Sequence, residues 1–359
     1  NIGAELDFSS FNEKDSAKLL FNENISVILQ AENDIEFEQF FSENNIHFCK
    51  IGNITNGKEL IIKNNNDIFR FEIEKYRDIW YKTSFLFDSY QSKNGMAQER
   101  YNNYKNQPLK FSFPKHFTGK LPVSPEKRPK AAIIREKGSN SEREMAHAMY
   151  LAGFDVKDVC MTDLISGRET LEDVQFIGAV GGFSNSDVLG SAKGWAGAFL
   201  YNEKAKTAIN NFFKREDTLS IGICNGCQLF MELELLYPEH SEHGKMHHNT
   251  SHKYESGFTS VTIQKNNSVM MSSLEGATLG VWVAHGEGKF HLPEKEKNYH
   301  IVGKYGYDSY PANPNDSDYN VAMLCDATGR HLVTMPHPER SIFQWNWAFY
   351  PERKDEVSP

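Results

Sequence analysis

Apolar residues recur with two different rhythms along this chain, and the change between them divides it. In the first part, short β-branched and aromatic runs at 25–29, 48–51, 59–62 and 68–73 predict strands, and 34–42 predicts a short helix capped by Asn33 or Asp34. Helical spacing follows from about 79 to 92, then a polar tract through Tyr104. This is an α+β pattern, and it covers 1–105. Between Pro108 and Pro129 lie five of the thirteen prolines, with Gly119, two serines and several lysines, a composition that resists helix and sheet interiors alike. The tract 106–129 therefore reads as a linker, an ordered strap rather than a folded unit.

From Lys130 strands and helices alternate. Ala131-Ala132-Ile133-Ile134 is a buried-type strand, 141–152 a helix with Ser141 as N-cap and Gly153 as its stop, and 154–159 the next strand. Phe176-Ile177-Gly178-Ala179-Val180 runs into Gly181-Gly182-Phe183-Ser184, and one helix is expected over 194–215. The alternation predicts an α/β fold over 130–359, a mostly parallel sheet flanked by helices, preceded by the smaller α+β segment. Ligands bind such sheets at the carboxyl ends of the strands.

Candidate chemistry gathers at those ends. Leu219-Ser220-Ile221-Gly222-Ile223-Cys224-Asn225-Gly226-Cys227-Gln228 passes from an apolar run through Gly-x-Cys-x-Gly into helical spacing, which mounts Cys224 on a sharp strand-to-helix turn. The glycines allow the turn, and the helix start offers unpaired N–H groups and partial positive charge that favour a thiolate. Met335-Pro336-His337-Pro338-Glu339-Arg340 follows the strand 331–334. Each proline pushes its predecessor toward an extended conformation, so His337 and Glu339 are expected on one face of an extended segment, about 6 to 7 Å apart along the chain. A thiolate, an imidazole that moves a proton and a carboxylate that fixes the imidazole tautomer are what amide hydrolysis requires. The N–H of Asn225 and one from the Gly181-Gly182 turn are the available oxyanion donors. His285 ends the strand 279–283, where it either meets substrate or caps a turn.

Other clusters point less sharply. Cys224-x-x-Cys227 also fits a redox or metal pair, but no second CxxC exists. His240, His243, His247, His248 and His252 lie among polar residues with no Cys or Asp in the run, the pattern of a solvated loop rather than a zinc site. No triad, phosphate loop or metal spacing precedes residue 110.

Composition narrows the class. With 359 residues there is room for two domains, and 39% apolar with 24% charged residues is ordinary for a globular protein. A net charge of −9 argues against a nucleic-acid surface, and no membrane-length apolar run or secretory signal is seen, so a cytoplasmic protein is expected. Five cysteines, an odd number, fit reduced thiols. Residue 1 is Asn and leads straight into structured-looking sequence, which suggests a piece of a longer polypeptide.

Taken together, Gly222-Ile223-Cys224-Asn225-Gly226-Cys227-Gln228, Pro336-His337-Pro338-Glu339-Arg340, Gly181-Gly182-Phe183-Ser184, His285-Gly286-Glu287-Gly288 and Arg135-Glu136-Lys137-Gly138-Ser139-Asn140 resemble the class I (triad) glutamine amidotransferase domain of the phosphoribosylformylglycinamidine synthases. The likeness covers about 128–359. It implies a flavodoxin-like class I glutaminase fold and a part in purine biosynthesis, where glutamine and ATP convert formylglycinamide ribonucleotide to formylglycinamidine ribonucleotide, with glutamate, ADP and phosphate as the other products. It also implies that Cys224 attacks the L-glutamine side-chain amide, His337 shuttles the proton and Glu339 orients His337. Gln228, Gly181, Gly182, Phe183, His285 and Gly286 match glutamine-pocket positions. Leu20-Phe21-Asn22-Glu23 and Leu86-Phe87-Asp88 resemble, more loosely, the end of the second synthetase-like half of the large single-chain form. ATP and Mg would then belong to synthetase domains upstream, with no cofactor and no metal in this stretch. One departure stands out: Asn185-Ser186-Asp187 replaces the usual Tyr-Gly-Asp. A cysteine peptidase or redox-chaperone-like protein built on the same elbow is the alternative reading.

Overall fold

The first strand, β1 (Gly3–Asp7), carries two acidic residues among five and lies where the apolar pattern signals none. It heads a unit spanning Asn1–Phe87, while Asp88–Pro359 forms a second; the computed structural model describes residues 2–105, 109–351 and 356–359. Short helices α1 (Ser16–Leu20) and α2 (Asp34–Glu43) follow, the latter capped by Asn33, whose Oδ1 accepts the Ile35 N–H at 3.2 Å. Strands β2 (Gly52–Thr55), β3 (Glu59–Asn64) and β4 (Asp67–Glu72) complete a sheet of order β2-β1-β3-β4. The expected strands 59–62 and 68–73 are found in β3 and β4. Those at 25–29 and 48–51 are not: Ile25, Val27, Ile28 and Leu29 are exposed and unpaired in any sheet, and the second pairing begins only at Gly52. Strand propensity without a partner strand does not make a strand.

Helix α3 (Ile73–Gln91) starts a turn and a half before the expected position and runs through the division at Phe87. α4 (Met96–Asn103) then belongs to the second unit. The division thus falls ahead of the expected boundary at 105/106, because side chains of 88–103 are bound into the second unit, Arg100 Nη2 to Glu255 Oε2 at 2.6 Å among them. Of the proline-rich tract, 106–108 with Pro108 lie outside the described residues. The remainder has no helix and pairs once, Ser112 with Thr278, while Phe111 and Phe113 pack on Trp347.

The second unit continues with β5 (Lys130–Arg135), α5 (Glu142–Leu151), β6 (Asp155–Cys160), α6 (Met161–Ser166), β7 (Phe176–Ala179), α7 (Lys193–Leu200), α8 (Glu203–Lys214), β8 (Leu219–Ile223) and α9 (Asn225–Glu232). After it come β9 (Lys245–His247), β10 (Glu255–Ile263), β11 (Thr278–His285), β12 (Lys289–His291), β13 (His300–Tyr305), β14 (Val321–Cys325) and β15 (His331–Thr334). Nine strands form one sheet of order β11-β10-β13-β14-β15-β8-β7-β5-β6. From β15 to β6 every pairing is parallel, as the βα alternation dictates. From β14 outward the pairings are antiparallel, three of them between strands consecutive in the chain and the fourth between β10 and β13. The inner parallel strands β5, β7 and β8 are largely apolar and buried, whereas the edge strand β6 carries Asp155, Lys157 and Asp158; Ile133, Ile134, Ile177 and Ile223 are fully buried with Trp195, Phe212 and Phe230. The single helix expected over 194–215 is two, α7 and α8. Asn202 breaks it by turning its Oδ1 onto the Ala205 N–H at 3.0 Å as a fresh N-cap. Ser141 holds the N-cap position of α5 but does not cap: at φ 73° its hydroxyl is bonded to Asn140 and Arg340 instead.

Candidate active site

Cys224 stands between β8 and α9 at φ 52°, ψ −105°, a conformation L-residues rarely hold and that strained nucleophile turns share. Pairing fixes it: its N–H donates to the Thr334 carbonyl of β15 at 2.9 Å, and its carbonyl accepts the Gln228 N–H at 3.0 Å. Gly226 is required because a Cβ there would come within 2.0 Å of the Ala179 carbonyl oxygen, so the start of α9 sits directly on the end of β7. The thiol is 5% exposed and lies 3.7 Å from the Ala284 carbonyl.

His337 and Glu339 meet, but not on an extended segment. The His337 N–H donates to the Trp282 carbonyl at 2.9 Å, and Pro338 opens a 3₁₀ turn, Pro338–Arg340, as its first residue. The turn folds Glu339 back so that its Oε1 lies 2.6 Å from His337 Nδ1, both side chains buried. Burial alone would lower the His337 pKa. The charges of Glu339 and Cys224 outweigh it and raise the imidazole to about 9. With Nδ1 held by Glu339, Nε2 has no partner among the described residues other than the neighbouring thiol. Gly181 lies against both groups: a Cβ there would be 2.9 Å from His337 Cε1 and 3.5 Å from Cys224 Cβ. Arg340 donates through Nη2 to Ser141 Oγ at 2.7 Å, and its Nε lies 3.9 Å from Glu339 Oε1.

On the side where oxyanion donors are expected stand the Gly181-Gly182 turn and Asn225, the first residue of α9. Gly182, at φ 119°, pairs with Ser139, and no backbone hydrogen bond among the described residues takes up the N–H of Gly182 or of Asn225. Gln228 is engaged at both ends of its amide: its Nε2 donates to the Glu287 carbonyl at 2.7 Å and its Oε1 accepts from Asn225 Nδ2 at 2.9 Å. Asn225 Oδ1 in turn accepts the Ser184 N–H at 3.1 Å. Gln228 thus braces the loops around Cys224. Phe183 is 45% exposed, its ring 6.0 Å from that of Tyr254, and burial together with the nearby Cys224 pushes the Tyr254 phenol up. His285 is a buried ring with neither nitrogen bonded among the described residues. Burial, then the His337 charge, drive its pKa down to about 3, so it is neutral. Its carbonyl and that of Gly286 are held by Asn249.

The loop after Ser184 departs from regular structure. Asn185, Ser186 and Asp187 all have left-handed φ (53°, 56° and 50°), so Ser186 bears the strain that the glycine usual at this position would not. The remaining clusters take no part in the thiol site. Cys227 is wholly buried, its thiol pushed well up, and all five cysteines are free. Among the described residues no three His, Cys, Asp or Glu side chains are grouped to hold a metal. His240 stacks on Tyr237, His247 packs against His291, and His248 lies 3.8 Å from Glu287. Sequence reasoning missed Asn249, Tyr254 and the Ala284 carbonyl, the first two inside or beside the histidine-rich stretch, where only sequence-distant contacts give them meaning.

Residues 128–359 match the model of the CobB/CobQ-like glutamine amidotransferase domain. Over 99% of its length the chain is 36% identical to a probable phosphoribosylformylglycinamidine synthase, chloroplastic/mitochondrial, of Arabidopsis thaliana, covering 27% of that protein. Over 80% of its length it is 38% identical to the phosphoribosylformylglycinamidine synthase of Homo sapiens, covering 24% of it. The chain therefore spans about a quarter of the length of these relatives. The solved structure of PurLQS from Thermotoga maritima is similar with a TM-score of 0.51 at 25% identity, over 61% of this chain and 92% of that one. Every strand from β5 to β15, and with them Cys224, His337 and Glu339, falls inside the matched span, and the chain belongs to the CobB/CobQ-like glutamine amidotransferases.

Proposed function

We propose that this chain is the glutaminase part of a phosphoribosylformylglycinamidine synthase. It hydrolyses L-glutamine to glutamate and ammonia through a Cys224 thioester, and the ammonia serves the ATP-dependent conversion of formylglycinamide ribonucleotide to formylglycinamidine ribonucleotide. The observation that carries the reading is the buried His337–Glu339 pair beside a thiol on a strand-to-helix turn, inside a glutamine amidotransferase fold. The names of the relatives supply the acceptor reaction.

In this reading the Cys224 thiolate adds to the side-chain amide carbon of glutamine, and the resulting oxyanion is met by the N–H groups of Asn225 and Gly182. His337 gives its Nε2 proton to the departing nitrogen, the C–N bond breaks and ammonia leaves a glutamyl thioester. His337, now neutral, takes a proton from water, the hydroxide adds to the thioester carbon, and Cys224 departs as thiolate. Glu339 holds Nδ1–H throughout and stabilises the imidazolium. Phe183, Gln228, His285 and Gly286 shape the pocket. ATP and Mg belong to synthetase domains of the same polypeptide, and no step at Cys224 passes through them. We place the activity in the cytoplasm; no helix among the described residues is long and apolar enough to cross a membrane. A thiol only 5% exposed suits a small amide better than a polypeptide strand, so nothing favours the peptidase alternative.

Glutamate release from L-glutamine against pH tests this. His337 keeps its proton below about 9, so the imidazolium is present through neutral pH and its contribution to kcat/KM is lost as pH rises through about 9. A limb at the ordinary histidine value of about 6.5 would show that Glu339 and Cys224 do not hold the proton. No glutamate release at any pH, with or without the synthetase part, would contradict the function itself.

A further inference from the structure

Asn249 sits in a polar, histidine-rich stretch whose composition predicts solvation, yet it is wholly buried. Burying an amide is costly unless each polar atom is matched. Here each is: the Asn249 N–H donates to the Gly286 carbonyl at 2.9 Å, Nδ2 to the His285 carbonyl at 2.7 Å and the Lys253 carbonyl at 3.0 Å, and Oδ1 accepts the Gly288 N–H at 3.0 Å. One side chain and its own N–H thereby set the turn 285–288. That turn presents the Glu287 carbonyl to Gln228, which braces Asn225, which in turn holds the Ser184 N–H. The chain of contacts reaches both loops that carry the oxyanion donors. At its other end, the same stretch places Tyr254 beside Phe183.

The stretch 249–255 is itself clamped by 88–103. The Lys93 N–H donates to the Ser251 carbonyl at 2.8 Å and Asn94 Nδ2 to the Thr250 carbonyl at 2.8 Å. Lys253 pairs with Asp88, and Arg100 Nη2 lies 2.6 Å from Glu255 Oε2, a carboxylate 2% exposed that also accepts from Ser251 Oγ and the Tyr310 hydroxyl. Removing Arg100 leaves that buried charge short of its counter-ion, which displaces the stretch rather than merely loosening it.

We propose that Asn249 is a positioning residue of the glutamine pocket, and that the strap 88–103 holds it in place through Arg100–Glu255 and Asp88–Lys253. The inference rests on the glutaminase reading and names the residues that set its pocket. Its test compares Asn249→Ala, Arg100→Ala and Arg100→Lys in the 359-residue chain, reading kcat and KM for glutamine alongside the rate at which iodoacetamide alkylates Cys224. Asn249→Ala raises KM about tenfold or more, and Arg100→Ala about threefold, while Arg100→Lys stays near wild type. Alkylation stays within about twofold in all three, because none of these side chains touches Cys224, His337 or Glu339. Wild-type KM in Arg100→Ala overturns the proposal, as does an alkylation rate that falls as far as KM rises. Should Asn249→Ala not fold, the Arg100 pair, partly exposed, decides. A wild-type chain alkylated at Cys224 but unable to turn over glutamine, with or without the synthetase part, would overturn the glutaminase reading and this inference with it. Turnover with unchanged variants overturns this inference alone.

Discussion

Cys224→Ala abolishes glutamate release, by about 10⁴-fold or more, and leaves the fold intact. The size follows from the route: without the sulfur no thioester forms, and His337 and the oxyanion donors are left with only a poorly placed water to activate. No other thiol takes over, because Cys227 is wholly buried with its thiol pushed far up, one helical turn deeper in α9. The fold survives because the Cys224 sulfur contributes a 3.7 Å contact to the Ala284 carbonyl and its contact with His337, while its backbone bonds to Thr334 and Gln228 do not involve the side chain. Glutamate release and the thermal midpoint of the variant check both halves. Activity near that of wild type in a folded variant would remove Cys224 from the reaction.

Glu339→Gln costs on the order of 10²–10³-fold in kcat/KM and moves the alkaline limb to acid. The substitution is isosteric and leaves the 3₁₀ turn in place, so its effect is electrostatic. Glu339 is what offsets burial at His337, whose pKa stands at about 9. The same pocket holds its own control: His285, equally buried and without a carboxylate, is driven to about 3. Stripped of Glu339, His337 moves down from about 9 toward that behaviour, and keeps its proton for the leaving nitrogen less well. The pH profile of the variant measures it. A limb unmoved from about 9 would mean that Cys224 alone holds the imidazolium.

The parts of this molecule that were legible in its sequence are those in which local constraint and function coincide. The nucleophile turn needs a left-handed residue between glycines that tolerate backbone contact, so Gly222, Cys224 and Gly226 announce it, and the buried parallel strands announce themselves as unbroken apolar runs. The pairing of His337 with Glu339 was legible from the prolines, although the proline at 338 starts a 3₁₀ turn instead of prolonging an extended segment. What escaped depends on partners distant in sequence. The run 25–29 has strand propensity but no neighbouring strand, whereas the acidic β1 gains one on each side. Nothing near Asn202 says that it caps a second helix, since an Asn inside helical spacing is also tolerated. Asn249 reads as part of a solvated loop because, beyond its local bonds to His252 and Lys253, its partners are residues 285, 286 and 288.

The central claim is that Cys224 is a nucleophile whose substrate is the glutamine amide. Incubating the chain with a diazo-ketone analogue of glutamine and sequencing the modified peptide by mass spectrometry tests it most directly. The account predicts a single adduct, on Cys224, that excess L-glutamine prevents. An adduct elsewhere, or one on Cys224 that glutamine does not block, would contradict it.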